Sequence, residues 1–263
     1  MTRCLLARPR GWIRLPVAEA LQQLIKLVTP ADFDPKALDR TFTLAIADPV
    51  AARLIPVLVN RLAVEAPGVA LRLRGYTGDS VRSMSKGTLD FVCGLVQENL
   101  PAGAHARILI QYEICCLVRA SHPLAGRARM TIEQFVAYEH IKPWFRGIND
   151  KGILDLKLKE MGLSRTIRLE SSHTLTILRT LQCTDTLLVG MSDWTKLLEG
   201  GDLVKIALPD PFESHFGSQA NMHLLWDERN HSDPAHRWLR QLMVDVASEE
   251  TGRPSFSDRD SDA

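Results

Sequence analysis

The 263-residue chain is 45% hydrophobic and 24% charged, with a formal net charge of +1. That balance belongs to a folded globular protein and excludes a disordered chain, a fibrous repeat or a globally basic nucleic-acid binder. No apolar run reaches the ~18 residues of a membrane span, and no apolar stretch follows the N-terminal arginines as in a secretory signal. Five cysteines (Cys4, Cys93, Cys115, Cys116, Cys183) form no C-x-x-C pair. A disulfide framework or zinc site is therefore not expected, and a reducing cytoplasm without a membrane partner fits best.

In chain order, residues 1–15 read as an irregular basic loop with Arg3, Arg8, Arg10 and Arg14, broken by Pro9 and Gly11. From Pro16 to Val28 the pattern turns helical. Val17, Leu21, Leu24 and Val28 make a narrow seam, which suits either a helix pair or a plain amphipathic helix. Pro30 and Pro35 mark residues 29–40 as a linker. Beyond it, strand and helix signals alternate. Phe42–Ala47 reads as a buried strand, and Asp48-Pro49 as an N-cap and first-turn proline of a helix lined by Val50, Leu54, Val57, Leu58 and Leu62. Val69, Leu71 and Leu73 alternate as the inward side of a strand. A short helix at residues 80–86, a strand at 89–95 and a longer strand at 108–119 follow.

A second series opens with the capping box Thr131-Ile-Glu-Gln134. Asp150 can cap a helix through Met161, residues 167–170 form a strand, and Ser171-Ser172 can cap a helix through Leu181. Strands at 186–189, 203–208 and 222–226 flank a helix at 192–198. Asp233-Pro234 opens the last helix, and the Ser/Asp-rich end reads as disordered. This alternation predicts mostly parallel sheets covered on both faces, in two α/β lobes joined by two crossing strands. Ligands of such folds sit beyond the carboxyl ends of the strands, here between the lobes.

The chain resembles the effector-binding domain of LysR-type transcriptional regulators. The residues that carry this are Arg40-Thr-Phe-Thr-Leu-Ala-Ile-Ala-Asp48, Leu54-Ile-Pro-Val-Leu58, Glu65-Ala-Pro-Gly68, Gly87-Thr-Leu-Asp90, Val118-Arg-Ala-Ser-His-Pro-Leu-Ala125 and Thr131-Ile-Glu-Gln-Phe135. Upstream, Arg8-Pro-Arg-Gly11 and Leu15-Pro-Val-Ala-Glu-Ala-Leu21 resemble the end of the family's wing and the start of its linker helix. Phe33-Asp-Pro35 resembles the branch of nodulation and aromatic-catabolism regulators. The resemblance implies a linker helix followed by two Rossmann-like lobes of the type 2 periplasmic-binding-protein fold. Its parts are a wing remnant (1–15), linker helix and linker (16–40), an effector domain (41–247) and a disordered tail (248–263). Lobe I would take about 41–120 and 226–247, and lobe II about 121–225. The helices that precede the wing in the family have no counterpart here, so this chain alone is not expected to read DNA specifically. A fragment, a miscalled start and a degraded gene all fit that expectation.

The same resemblance implies a small effector, and an aromatic acid fits, near Asp48, Thr77, Gly78, Trp144, Arg146, Ser172, His173 and Met191. Helix starts favour anions, Arg146 can hold a carboxylate, and Trp144 or His173 can stack on a ring. Asp48 and Ser172 serve equally as plain caps. Arg8, Arg10 and Arg14 either grip DNA phosphates in a full-length parent or lie solvated. The resemblance also implies a homo-oligomer, a dimer or tetramer, through Val17, Leu21, Leu24 and Val28 and through the helix bearing Leu54 and Leu58. A stand-alone small-molecule binding protein of the same fold is the alternative. No catalytic residue, cofactor or metal is expected. Ser83-Met-Ser-Lys86 has the S-x-x-K spacing but lacks its companion motifs, and His231 and His236 beside Asp233 have no third ligand nearby in sequence. No glycine-rich phosphate loop is present. Replacing Leu21 and Leu24 by Asp is expected to weaken self-association in analytical ultracentrifugation; an unchanged oligomer removes the linker seam.

Overall fold

A computed structural model describes residues 33–95, 100–144, 152–198, 200–212 and 219–252. The chain divides into units 1–35 and 36–263, and nearly all of the first lies outside the described residues. The wing remnant and the seam Val17, Leu21, Leu24 and Val28 therefore fall outside them.

The described part of the second unit is α/β. Its strands are β1 (Arg40–Ile46), β2 (Val69–Gly75), β3 (Phe91–Leu95), β4 (Ala104–Arg119), β5 (Glu139–Pro143), β6 (Thr166–Ser171), β7 (Leu187–Met191), β8 (Leu203–Ile206) and β9 (Gln219–Asp227). The helices are α1 (Asp48–Glu65), α2 (Ser80–Ser85), α3 (Ile132–Ala137), α4 (Ile153–Glu160), α5 (Thr174–Cys183) and α6 (Pro234–Thr251). Among the described residues the strands run in the order β2-β1-β3-β9-β4-β7-β5-β6, with β8 also paired to β4.

Two lobes share β4. Its first part, Ala104 to Glu113, pairs antiparallel with β9. From Ile114 onward it pairs antiparallel with β7 and β8. Parallel pairs (β1 with β2 and β3, β5 with β6 and β7) build the body of each lobe. The sheets are therefore mixed rather than mostly parallel, because both crossing strands run against their neighbours. β9 returns to the first lobe from Gln219, earlier than the strand signal at Met222. α6 runs through Thr251 to a left-handed C-cap at Gly252, so residues 248–251 are helical and not part of a disordered tail.

Strand alternation splits each core in two. In lobe II, Cys115, Leu117 and Leu188 pack with Ile177, Leu178 and Leu181 of α5, whereas Cys116, Val118 and Leu187 pack with Phe135 and Leu158 on the other face. The adjacent cysteines thus point to opposite faces, and burial pushes the Cys115 thiol up to about 12. In lobe I, Ala45, Val92 and Leu225 meet Met84 of α2. The opposite face presents Phe42 and Phe91 to the buried His236 of α6. His236 Nε2 lies 3.1 Å from Asp90, which also accepts the Thr43 N–H at 2.8 Å. Arg40 joins Asp90 at 3.4 Å to Asp233 at 2.6 Å, and Asp233 caps α6 through the N–H groups of Ala235 and His236. This network fastens the last helix to the first strand of the lobe.

Three expectations change. Leu73 stands on the same face as its register partner, the buried Leu44, but β2 is an edge strand and leaves it 40% exposed. Leu54 and Leu58 are 2% and 1% exposed, buried within the protomer's own core. The apolar stripe of α1 is thus its core face and is closed to a second copy. β5 gave no strand signal in the sequence, yet it lies inside the lobe II sheet.

The anchor of β5 is His140, fully buried, with Nε2 2.8 Å from the Phe135 carbonyl and Nδ1 3.5 Å from an Arg165 Nη1. The first contact fixes the proton on Nε2. Burial, aided by the Arg165 charge, lowers its pKa to about 4. Above the unfolded value of ~6.5 both states are neutral and stability is full; as pH falls toward 4 only the unfolded chain takes up the proton. Stability should fall by up to ~3 kcal/mol across that window. Urea unfolding from pH 7 to 4.5 should show a smaller pH slope in His140→Gln than in the wild type; equal slopes would contradict this.

Candidate functional site

The parallel strands of both lobes end at one place. β1, β2 and β3 finish at Ile46, Gly75 and Leu95, and β5, β6 and β7 at Pro143, Ser171 and Met191. These carboxyl ends face one another where β4 changes partners, the position such folds reserve for ligands. A cavity of ≈ 220 Å³ lies there, walled by Leu95 and Ala220 from lobe I and by Lys142, Ile153, Arg165, Met191 and Trp194, among others, from lobe II. A smaller one of ≈ 40 Å³ adjoins it, sharing Leu95, Met191 and Trp194 and adding Ala47, Pro49, Tyr76 and Met222.

Each lobe contributes an aromatic ring laid on a glycine. A Cβ on Gly94 would stand 2.3 Å from the Tyr76 ring, and one on Gly190 would stand 3.2 Å from Trp194. The missing side chains let both rings lie against their strands, so flat apolar surface borders the space. The Tyr76 hydroxyl donates to the Leu95 carbonyl at 2.7 Å, which fixes its ring.

The polar groups of the wall come from lobe II. Lys142 Nζ lies 3.7 Å from Asp155 and 3.6 Å from Glu170. Arg165 Nε donates to Asp155 at 2.7 Å. Burial alone would raise the Asp155 pKa, but the Arg165 hydrogen bond with the Arg165 and Lys142 charges holds it below the ordinary carboxylate range. Asp155 is thus charged, and together with Glu170 it faces the two cations at the cavity.

The residues expected to bind an effector are only partly gathered. Met191 lines both cavities. Asp48 does not cap its own helix; the N-cap position is Ala47, and Asp48 Oδ2 instead accepts the Thr174 N–H at the start of α5 in the other lobe at 3.3 Å. Thr77 is occupied with Ser80, whose hydroxyl oxygen accepts the Thr77 N–H at 2.9 Å, and Gly78 is exposed in the same turn. Trp144 is half-buried, its N–H on the Ser171 carbonyl at 2.9 Å. Ser172 and His173 are exposed before α5, and Ser172 caps nothing: Ser171 Oγ accepts from His173 N–H at 3.1 Å. Arg146 and the cap candidate Asp150 lie outside the described residues, and the N-cap position of α4 is Gly152. Sequence reasoning missed Tyr76, Lys142, Arg165 and Trp194. The glycines in the two buried strands were the available signal for the rings; nothing in sequence signalled the cations.

A second link crosses between lobes near the cavity. Arg53 of α1, 10% exposed, pairs with Asp193 of lobe II and donates to the Glu250 carbonyl of α6 at 2.7 Å. α1 therefore reaches lobe II through one acid and one base.

A pair of α/β lobes joined by crossing strands, with the strand ends meeting over a cavity, is the fold of periplasmic-binding-protein-like domains. The model of the LysR substrate binding domain matches residues 35–248, and the chain belongs to this family of transcriptional regulators. It is 32% identical over 243 residues to the HTH-type transcriptional activator NahR of Pseudomonas putida, covering 88% of this chain and 75% of that protein. The HTH-type transcriptional activator NagR of a Ralstonia species is also 32% identical, over 241 residues, with 89% and 76% covered. Among solved structures, the probable transcriptional regulator PA0477 of Pseudomonas aeruginosa superimposes with a TM-score of 0.68 at 29% identity, over 87% of this chain and 75% of that one. The regulatory domain of MexT, a transcriptional activator of the same organism, gives 0.65 at 24% identity over 80% and 98%. The similar proteins named here are regulators of transcription. Among the described residues no helix is long and apolar enough to cross a membrane.

If the two α1 links hold the lobes together, their loss should be unequal. Arg53→Ala, which strands Asp193 and an α6 carbonyl, should cost about 1–3 kcal/mol and enlarge the radius of gyration in X-ray scattering. Asp48→Ala, losing one long hydrogen bond at an exposed side chain, should cost less than about 1 kcal/mol. An Arg53→Ala protein as stable and compact as the wild type would show that the clamp carries nothing.

Proposed function

We propose that this domain is the sensor of a ligand-responsive regulator and takes up a small aromatic carboxylate between its lobes. The observation that carries this reading is the ≈ 220 Å³ interlobe cavity, walled by Trp194 and aliphatic side chains, with Lys142 and Arg165 at one side in ion pairs that a ligand anion can join. An apolar cavity of ~150 Å³ is enough to take up benzene, so this one has the volume for a single substituted ring. Trp194, Met191 and Leu95 supply the apolar contact, and Tyr76 walls the smaller cavity that adjoins it. Lys142 and Arg165 supply the charge.

Asp48 decides where the carboxylate goes. Its own carboxylate already takes the Thr174 N–H at the start of α5, so a ligand anion is directed to Lys142 instead. Trp144, Ser172 and His173 act at the lip, with Thr77 and Gly78 opposite, and meet the ligand as the lobes close. The ligand shifts closure only by its difference in affinity for the two states. In a protein that also carries a DNA-binding domain, that shift passes through contacts between copies. The face of α1 available for such contacts carries Val59 and Val64, 48% and 73% exposed, in place of Leu54 and Leu58.

Thermal unfolding with benzoate tests this reading. At a hundred times its dissociation constant a ligand adds ~2.7 kcal/mol of stability. Met191→Trp, which fills the cavity, should abolish the shift. Lys142→Met should weaken benzoate at least about tenfold, ~1.4 kcal/mol, while leaving benzyl alcohol unaffected. Benzoate shifts of equal size in the wild type and both variants would place the ligand elsewhere.

A further inference from the structure

We propose that lobe I carries a second site, unrelated to the interlobe cavity, in which His105, Glu228 and His231 bind a divalent transition-metal ion such as Zn²⁺. β4 places His105 nine residues before Ile114, where the lobes meet, a distance of about 30 Å along an extended strand. The site forms where β4 begins and β9 ends, with His105 opposite Trp226 in the ladder.

Backbone geometry gathers the donors. After Asp227 the chain makes one 3-10 turn, Glu228–Asn230, closed by the His231 N–H on the Glu228 carbonyl at 2.9 Å. A 3-10 turn eclipses residues i and i+3, so the Glu228 carboxylate and the His231 imidazole stand on one side. His105 meets them from the strand. Its Nε2 contacts a Glu228 carboxylate oxygen, and its ring centroid is 4.3 Å from that of His231. One donor atom from each of the three lies within 4.8 Å of the others. Tetrahedral zinc at ~2.0–2.1 Å from nitrogen and oxygen needs donors roughly 3.4 Å apart, which side-chain rotation supplies.

The turn is held from several sides before any ion arrives. The Glu228 N–H donates to the Gly103 carbonyl at 2.7 Å. Arg240 of α6 donates to the carbonyls of Asn230 at 3.1 Å and His231 at 2.7 Å. Two imidazoles and one carboxylate are the donor set of zinc and its first-row neighbours, not of calcium or magnesium, and three protein ligands leave a fourth position open. His105 and His231 also line a recess of ≈ 950 Å³ with Arg107, Arg237 and Arg240. Asp227 beside the site is paired with Arg229 at 2.7 Å. These cations weaken the site for a bare metal ion and favour an anion as its fourth ligand.

Loading has an optical consequence. The Trp226 indole N–H donates to His231 Nδ1 at 3.2 Å. Coordination through Nδ1 uses that lone pair, and coordination through Nε2 moves the ring proton onto Nδ1. Either way the hydrogen bond from Trp226 ends.

The test is equilibrium dialysis of the tag-free full chain against ZnCl₂ at pH 7.5, with tryptophan fluorescence followed in parallel. The expected result is one zinc per chain attributable to this site, with affinity at least tenfold weaker in His105→Gln, Glu228→Gln and His231→Gln. Trp226→Phe should retain the zinc and lose the fluorescence response. No binding up to ~1 mM, or binding unchanged in all three ligand variants and so located elsewhere, would overturn the proposal.

Discussion

One strand serves two sheets, and the rest of the domain follows from it. β4 is sixteen residues long and exchanges its partner β9 for β7 and β8 between Glu113 and Ile114. A continuous strand cannot fold back on itself, so the sheets it joins become separate lobes with a gap at the point of exchange. Parallel strands connected by crossovers run the same way within each lobe, and their carboxyl ends meet at that gap. Backbone groups at strand ends and helix starts are left there without ladder partners, and they are what a ligand, or a side chain standing in for one, can satisfy.

Asp48 is such a side chain. Its position before Pro49 gives it the sequence signature of a local cap, but the geometry sends its carboxylate to the first turn of α5 in the other lobe. Arg53, five residues on, reaches Asp193 from the same helix. The two links make α1 both a core element of lobe I and the arm by which it holds lobe II. α1 therefore touches both walls of the cavity directly, through Asp48 and Arg53.

Much of the fold was legible because local chemistry and tertiary structure agree. Thr131 forms the full capping box with Gln134, Asp233 caps α6, and Cys115 and Cys116 divide between faces as strand alternation requires. The motif Gly87-Thr-Leu-Asp90 acquires a reason in Asp90, which ties β1 to α6 through Thr43, Arg40 and His236. β5 was illegible because Glu139-His-Ile-Lys-Pro143 offers one aliphatic residue and relies on a buried neutral histidine. Leu73 keeps the face that alternation gives it, but its exposure was illegible because an edge position cannot be read from alternation. Lys142, Arg165, Tyr76 and Trp194 converge only through strand order. So do His105 and Glu228, whose separation of 123 positions hides them from any spacing rule.

Hydrogen exchange with and without bound benzoate, followed by mass spectrometry, measures most directly whether the gap at the β4 exchange point is the sensing site. Slowed exchange is expected at the ends of β3, β5 and β7, in the 3-10 helix Ser192–Leu197 that bears Trp194, and in the first turns of α1 and α5, and nowhere else. Protection centred on the outer face of lobe I, with these segments unchanged while ligand is bound, would contradict it.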